Sequence, residues 1–261
     1  MNRSQSTPTF ADACESVLSE PEREHSLYTT LAPLYDRLMA DLEEHYDDKF
    51  RALAPHVPET AETVLEVGCG VGGLLPLLEA RFPHVVGLDR RPELLAFAER
   101  RARHAALVEG DVTDCDLDER FDVVVAVEYV TAHLLTDDDL AAAFETVHDR
   151  LQPEGVFVFD AVVDPVAVEE PGVDVFTGGG YRLERAVDVV PAPDLPGVRV
   201  DTDYRVTDVA GDRQATASER LPVRTFTLVE LRDALAAAGF GDVAVEHDAA
   251  DDGAVLVVAR R

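Results

Sequence analysis

The sequence has very little basic charge and almost no lysine. Among 261 residues there are 52 acidic and 23 basic side chains, and all the basic ones but Lys49 are arginines, which gives a formal net charge of −29. Proteins that bind DNA or RNA without sequence preference need a basic surface. The composition therefore excludes that class, and we expect no nucleic-acid partner.

Cysteine and long apolar runs are scarce as well. Cys14, Cys69 and Cys115 are scattered and show neither Cys-x-x-Cys nor Cys/His spacing, so the sequence indicates no disulfide framework and no metal site. Apolar runs such as Val123 to Val127 are far shorter than the roughly 18 residues that a membrane span needs. Nor does the amino-terminal stretch contain an apolar segment of signal-peptide length. We expect a cytoplasmic protein without a membrane partner.

The excess of acid is combined with a hydrophobic content of 46%, which is normal for a folded domain and too high for a disordered chain. The surplus carboxylates must then lie on the surface. Abundant acid with near-absent lysine is typical of proteins from an extreme halophile, where concentrated salt screens the mutual repulsion within a few ångströms. We therefore expect a halophilic protein.

From about residue 59 the chain alternates between short β-rich runs and helical stretches, the pattern of an α/β fold built on a parallel sheet. Helices are predicted over 74–81, 92–103 and 138–151, with a turn at 152–155. The predicted strands are TVLEVG (63–68), HVVGLD (84–89), AALVEGD (105–111), FDVVVAVE (121–128) and GVFVFDAV (155–162).

Other segments flank or interrupt this pattern. Residues 1–24 are expected to be a flexible tail and 25–58 to form amino-terminal cap helices, followed by a core over 59–163. Alternating stretches within 164–224 predict an inserted antiparallel sheet. Residues 225–261 complete the core with a helix over 227–240, capped by Gly239, and a terminal hairpin that turns at 251–253.

The most informative stretch is VLEVGCGVGGLLPLL, residues 64–78. Glycines at 68, 70, 72 and 73 permit a tight turn between strand and helix and let a ligand approach the backbone. Gly68, Gly70 and Gly73 also satisfy the pattern of dinucleotide-binding loops, so an NAD(P)-dependent oxidoreductase remains an alternative.

Three carboxylates lie at the carboxyl ends of successive predicted strands: Glu66, Asp89 and Asp111. In an open α/β sheet those ends line one crevice, where ligands bind. Because the three charges are negative, the crevice suits a ligand that carries positive charge better than a pyrophosphate.

The segments EVGCGVGG, LDRRPELLAFAERR and EGDVTD resemble the first three motifs of the class I S-adenosylmethionine-dependent methyltransferases. Upstream, LYTTLAPLYDRLM resembles the cap helix of small-molecule members related to glycine and aminosugar N-methyltransferases. The resemblance implies a Rossmann-like, mostly parallel seven-stranded sheet with a terminal antiparallel hairpin, and S-adenosylmethionine as the cosubstrate. It places the inserted antiparallel sheet as a cover over the acceptor site.

The resemblance also implies roles for particular residues. Glu66 lies near the methionine portion, Asp89 accepts the ribose hydroxyls, Asp111 holds the adenine amino group, and Tyr35 closes over the cofactor. The full set expected to bind the cofactor is Tyr35, Glu66, Gly68, Cys69, Gly70, Gly72, Asp89, Arg90, Asp111, Val112 and Glu128.

The implied reaction moves a methyl group to an N or O atom, less readily S, of a small-molecule acceptor. Glu128, Tyr129 and His133 follow the fourth predicted strand and are the candidate catalytic residues. His133 is the preferred general base because histidine titrates near neutrality; the alternative is a histidine that packs at a helix start. Candidates to grip an anionic acceptor are Tyr181, Arg182, Arg185, Arg205 and Arg224.

Two further alternatives stay open at this point. The chain could bind S-adenosylmethionine without catalysis, or it could be the oxidoreductase mentioned above, although Glu66 and the terminal hairpin disfavour the latter. The sequence is compatible with a monomer or a homodimer.

Overall fold

A computed structural model describes residues 7–40, 43–115, 117–163, 171–192, 194–247 and 253–261. Its centre is a seven-stranded sheet in the order β10-β11-β5-β4-β1-β2-β3. The strands are β1 (Thr63–Val67), β2 (His84–Asp89), β3 (Ala106–Glu109), β4 (Phe121–Ala126), β5 (Leu151–Val162), β10 (Asp242–His247) and β11 (Ala254–Arg260). All neighbours are parallel except β11, which runs antiparallel to both β5 and β10. The predicted sheet and its antiparallel end are confirmed.

Three helices follow strands of this sheet, α4 (Leu75–Arg81), α5 (Pro92–Arg101) and α6 (Asp137–Arg150), and α7 (Leu228–Ala237) precedes β10. The central strands are apolar on both faces because helices or the amino-terminal segment cover each side. The turn predicted at 152–155 is instead an irregularity within β5, where Glu154 has a φ of 66°. Gly239 follows α7 with a φ of 101°, as a helix-ending glycine does.

The insertion forms a separate four-stranded antiparallel sheet, the cover sheet, in the order β6-β7-β8-β9. Its strands are β6 (Gly172–Gly178), β7 (Tyr181–Pro191), β8 (Gly197–Asp208) and β9 (Gln214–Arg224). Along β8, buried and less buried residues alternate from Val198 to Val206, so one face is packed and the other meets solvent. The start of the insertion (164–170) and residues 251–252 of the predicted hairpin turn lie outside the described residues.

The amino-terminal segment contains α1 (Phe10–Ser19), α2 (Ala32–Ala40) and α3 (Glu43–Leu53). The expected flexible tail is therefore wrong over 10–19, where α1 packs Ala13, Cys14 and Val17 against the cover sheet. The helix begins with a capping box in which Thr9 and Asp12 exchange backbone and side-chain hydrogen bonds. This segment joins the cover sheet to the core.

Among the described helices, none combines the length and apolar content that crossing a membrane requires.

Candidate active site

The glycine loop after β1 approaches its neighbours closely. Gly68 and Gly70 have φ values of 68° and 53°, a region that glycine adopts without strain. A Cβ added at Gly68 would lie 2.4 Å from Cγ2 of Val130, and one at Gly70 would lie 3.8 Å from Cε1 of Tyr35. Both glycines line the main cavity, which lies at the carboxyl ends of the core strands. Gly72 does not; a Cβ there would meet the backbone of Ala98 on α5 at 3.0 Å, so its smallness serves helix packing.

Asp89, at the end of β2, fixes this loop. Its carboxylate accepts hydrogen bonds from the backbone N–H of Gly70 and of Arg91, each at 2.8 Å. Burial raises the pKa of Asp89, and these two bonds partly oppose the shift. Asp89 lines the cavity and couples the position of the glycine loop to the end of the neighbouring strand.

Asp111 and Val112 lie past the end of β3 and line the same cavity. The Asp111 carboxylate accepts bonds from the backbone N–H and the hydroxyl of Thr113 at 3.0 and 2.9 Å, and Arg90 lies 3.5 Å away. Burial opposes ionisation of Asp111, but these bonds and the Arg90 charge outweigh it and lower the pKa. Asp111 is therefore an ionised acceptor at neutral pH.

Glu66 is the most unusual carboxylate of the group. It is 4% exposed, and its Oε2 atom has no hydrogen-bond partner among the described residues. Burial, together with the charges of Asp89 and Glu128, raises the pKa of Glu66 well above its ordinary value. A buried acceptor without a partner is costly, and a cationic ligand nearby would relieve that cost.

The main cavity has a volume of about 630 Å³, a size typical of small-molecule sites. One half is lined by the ends of the core strands, including Gly68, Asp89 and Asp111; the other half is lined by residues 24–26, 28 and 29 and by 218–221 of β9. Glu66 is buried close enough to Asp89 and Glu128 to feel their charges, but it does not line this cavity. The Cys69 side chain is buried beside Gly87 rather than in the cavity, and burial raises the pKa of its thiol.

Aromatic side chains lie between the two halves. Tyr28 contacts Tyr35 edge to face with ring centroids 5.2 Å apart, and it contacts His133 in the same way at 5.7 Å. All three residues line the cavity. They form an aromatic wall of this cavity between the core strands and the amino-terminal segment.

Glu128 lies at this junction and pairs with a residue far away in the sequence. Nε2 of His45, on α3, is 2.7 Å from Oε1 of Glu128, and both side chains are partly exposed. Glu128 also lines a second, smaller cavity of about 80 Å³ behind the first, together with Tyr129, His133 and Arg185. The three candidate catalytic residues thus all line this small cavity.

His133 is held in its neutral form. Burial, then the charges of Arg90 and Arg91, lowers the pKa of His133 to about 4. The sequence favours His133 as the general base because a histidine side chain ordinarily titrates near neutrality. In this environment it does not. Its role as a general base stays a prediction.

All five side chains proposed to grip an anionic acceptor have protein partners, among them Arg185, which pairs with Asp174 at 3.1 Å. Arg182 and Arg205 pair with Glu184 at 2.7 and 3.3 Å on the surface. Tyr181 donates to Glu15, and Arg224 pairs with Asp137. Of that set, Arg185 is the one that lines a described cavity.

Sequence reasoning missed several residues of this site. His45 and Lys49 were not singled out, although they are four residues apart and so share one face of α3. Arg91 and Arg220 line the main cavity, but nothing distinguishes them from the many other arginines of the sequence. The contact between His45 and Glu128 spans 83 positions, which no local pattern reports.

The site fits S-adenosylmethionine. The sulfonium and ammonium groups of this molecule are cationic, and the Oε2 atom of Glu66, which has no hydrogen-bond partner among the described residues, lies near two further carboxylates, Asp89 and Glu128. Asp89, Asp111 and the glycine loop lie along the same half of the cavity. Together with the strand order, these features define a methyltransferase that uses S-adenosylmethionine.

Comparison with known proteins agrees with this class. Residues 64–155 match the family described as "Methyltransferase domain". The chain is 32% identical over 187 residues to dTDP-4-amino-2,3,4,6-tetradeoxy-D-glucose N,N-dimethyltransferase of Saccharopolyspora spinosa, covering 70% of this chain and 72% of that protein. It is 32% identical over 152 residues to dTDP-3-amino-3,6-dideoxy-alpha-D-glucopyranose N,N-dimethyltransferase of Streptomyces fradiae, covering 57% and 58%.

Solved structures show the same relationship across the whole fold. DesVI of Streptomyces venezuelae superposes with a TM-score of 0.73 at 25% identity, covering 87% of this chain and 97% of DesVI. CalS10, an amino pentose methyltransferase of Micromonospora echinaspora solved with S-adenosylmethionine bound, has a TM-score of 0.66 at 29% identity, covering 92% and 98%. The chain belongs to the class I S-adenosylmethionine-dependent methyltransferases that act on small molecules.

Proposed function

We propose that this enzyme methylates the amino nitrogen of an aminosugar, carried as a nucleotide-linked sugar. The observation that carries the proposal is the two-part cavity, in which the cofactor half opens directly into a half roofed by β9 and the amino-terminal segment. The two curated relatives described above are named as N,N-dimethyltransferases of dTDP-aminosugars, and the DesVI and CalS10 alignments extend over most of this fold.

The cosubstrate, when bound, supplies a methyl group on a sulfonium, whose leaving group is already activated. The protein's task is to position the acceptor, exclude water and receive a proton. Glu66, Asp89, Asp111 and the glycine loop would hold the cofactor. Tyr28 and Tyr35 close the junction against solvent.

Glu128 is the group best placed to assist the acceptor nitrogen. That nitrogen gains positive charge as its bond to the methyl carbon forms, and a carboxylate at the junction favours such a charge. The Glu128 carboxylate can accept a hydrogen bond from the N–H of the amine and then take up the proton. His45, whose Nε2 lies 2.7 Å from Oε1 of Glu128, can relay that proton toward solvent. His133 serves as a neutral hydrogen-bond acceptor that orients the amine.

The test is an activity screen in molar KCl with labelled S-adenosylmethionine. The acceptors are dTDP-linked aminosugars, the matching free aminosugars, the matching dTDP-sugars with a hydroxyl in place of the amine, and glycine. We expect one or two methyl groups on the dTDP-linked amine and none on the hydroxyl analogue, measured by mass spectrometry. Transfer to glycine or to the hydroxyl analogue alone would refute the acceptor assignment.

Two variants separate the proposed roles. Glu128→Gln should lower kcat by about 100-fold, within the usual range for a lost acid–base group. His133→Asn, which keeps a neutral acceptor, should lower kcat by less than about 10-fold, because orientation is only partly lost. The reverse order would make His133 the general base. If S-adenosylmethionine binds but no acceptor is methylated by the wild type, the chain is a non-catalytic binder.

A further inference from the structure

Two consecutive residues beside the cofactor cavity have an unfavourable backbone conformation. Glu128 and Tyr129, just past β4, both have a φ of 63°. Residues with a Cβ rarely occupy this left-handed region, and two in a row are rarer still. Such a conformation persists where surrounding groups hold it in place, and it often accompanies function.

The carboxylate of Asp160 holds this turn. The backbone N–H of Glu128 donates to Oδ2 at 2.8 Å, and that of Tyr129 donates to Oδ1 at 2.9 Å. Asp160 lies on β5, which pairs with β4 through Ala126 and Phe159, and it is completely buried. One carboxylate therefore binds both strained amides from the adjacent strand.

Lys49 supplies the charge that Asp160 needs. Its Nζ lies 3.0 Å from Oδ2 of Asp160, and the lysine is 1% exposed. The same Nζ lies 5.7 Å from the centroid of the Tyr129 ring. A buried carboxylate without a partner charge tends to take up a proton, and a protonated oxygen would no longer accept both backbone amides. The only lysine of a sequence that otherwise uses arginine is thus buried beneath the active-site turn.

We infer that Lys49 and Asp160 are positioning residues for methyl transfer. They hold the left-handed turn at Glu128 and Tyr129 and so fix the side chain of Glu128, which lines both cavities, and that of Tyr129, which lines the smaller one. Neither residue lines either described cavity, so they act through the turn. The role of Glu128 rests on the proposed function, whereas the conformation of the turn does not.

The main variant is Lys49→Met, which keeps a chain of similar length without the charge. We expect the affinity for S-adenosylhomocysteine, measured by calorimetry, to change by less than about 3-fold, because Asp89 and Asp111 are untouched. We expect kcat to fall by about 10- to 100-fold, the loss that misplacement by about an ångström causes. A variant with Asp160→Asn added removes both charges and leaves neither buried alone; it should show the same loss of kcat.

Arg81→Met is the control. Arg81 is a half-buried cation at the end of α4 whose guanidinium donates to the backbone carbonyls of Ala61 and Pro58 at 3.2 and 2.9 Å, and it lines neither cavity. It should reduce thermal stability while leaving kcat near the wild-type value. A fall in kcat that simply follows the melting temperature across all these variants would overturn the inference.

A second readout needs no acceptor. In NMR spectra of the protein in molar KCl, the backbone amides of Glu128 and Tyr129 should shift upfield in Lys49→Met and stay unchanged in Arg81→Met, because a hydrogen bond to an ionised carboxylate moves an amide proton downfield. Adding Tyr129→Gly, which takes positive φ without strain, should reduce but not abolish the effect of Lys49→Met on kcat, because Glu128 still needs the carboxylate of Asp160. Unchanged amides in Lys49→Met would refute the inference even if the acceptor proves to be something else.

Discussion

Replacing Glu66 with glutamine should stabilise the free protein and weaken cofactor binding. Glu66 is buried on β1, and its Oε2 lacks a hydrogen-bond partner in the described part of the chain. Its pKa is raised well above the ordinary value by burial, then by Asp89 and Glu128. Burying this carboxylate without a partner costs free energy in the ligand-free protein, and a cationic cofactor offsets that cost. Glutamine has the same shape but no charge, so it removes both the cost and the attraction to the cofactor.

The two effects have opposite signs and measurable sizes. Removing the buried charge and its repulsion from Asp89 and Glu128 should add about 1 kcal/mol to the free energy of unfolding, which raises Tm by about 2–4 °C for a chain of this size. Loss of a charge-assisted interaction of about 1.5–3 kcal/mol should weaken the affinity for S-adenosylmethionine by about 10- to 150-fold.

The raised pKa of Glu66 also fixes a pH dependence. Because the folded protein binds this proton more tightly than the unfolded chain does, Glu66 contributes stability that is fully present below its unfolded pKa of about 4.5 and is lost as pH rises through the folded value. A cationic ligand lowers the pKa of Glu66 again. Ligand binding therefore releases a proton at pH values between the pKa of Glu66 in the ligand-bound protein and its pKa in the free protein. The Glu66→Gln variant should show neither the loss of stability nor the proton release.

The assay combines thermal unfolding with calorimetry in two buffers of different ionisation enthalpy, all in molar KCl. Glu79→Gln is the control, because Glu79 is another buried carboxylate, but it accepts backbone N–H bonds from Arg103, His104 and Ala105. Burial opposes its ionisation, and these bonds outweigh burial and lower the pKa of Glu79. Glu79→Gln should lower Tm and keep the affinity. If Glu66→Gln behaves in the same way, the reasoning is wrong.

Three further predictions follow from single features. Gly68→Ala should abolish detectable cofactor binding in a calorimetric titration, because its Cβ would meet Val130 at 2.4 Å. Gly180→Ala is the control: this glycine also has a positive φ, but it faces open space, so the variant should bind the cofactor normally. Adding Val130→Ala to Gly68→Ala should partly restore binding. His133→Asn should flatten the fall in unfolding free energy between pH 6.5 and about 4, since the folded pKa of His133 lies at about 4 and the unfolded chain takes up that proton first; an unchanged slope would contradict its burial. The midpoint of thermal unfolding should rise steeply with KCl concentration because salt screens the net charge of −29; a flat response would contradict the halophilic prediction.

Regular elements could be predicted because their signals are local. Alternating β and helical runs indicated the parallel strands, and alternation within 164–224 indicated the cover sheet, which the structure confirms. Helix α1 was missed although Thr9 and Asp12 carry the spacing of a capping box, because its ten residues lie between polar stretches that contain Pro8 and Pro21. Cys69 and Gly72 belong to the same loop as Gly68 and Gly70, but the fold turns them toward packing contacts.

By itself, the sequence determined the order of strands and helices, the glycine turn and the three carboxylates at strand ends, since hydrophobic periodicity, backbone freedom and register act over a few residues. Only the tertiary structure decided which charges are buried and what faces them. Lys49 meets Asp160 across 111 positions, Glu128 meets His45, and burial lowers the pKa of His133 to about 4. Desolvation and long-range pairing depend on the packed fold, so side chains that look like solvated surface charges in the sequence are buried and paired in the structure.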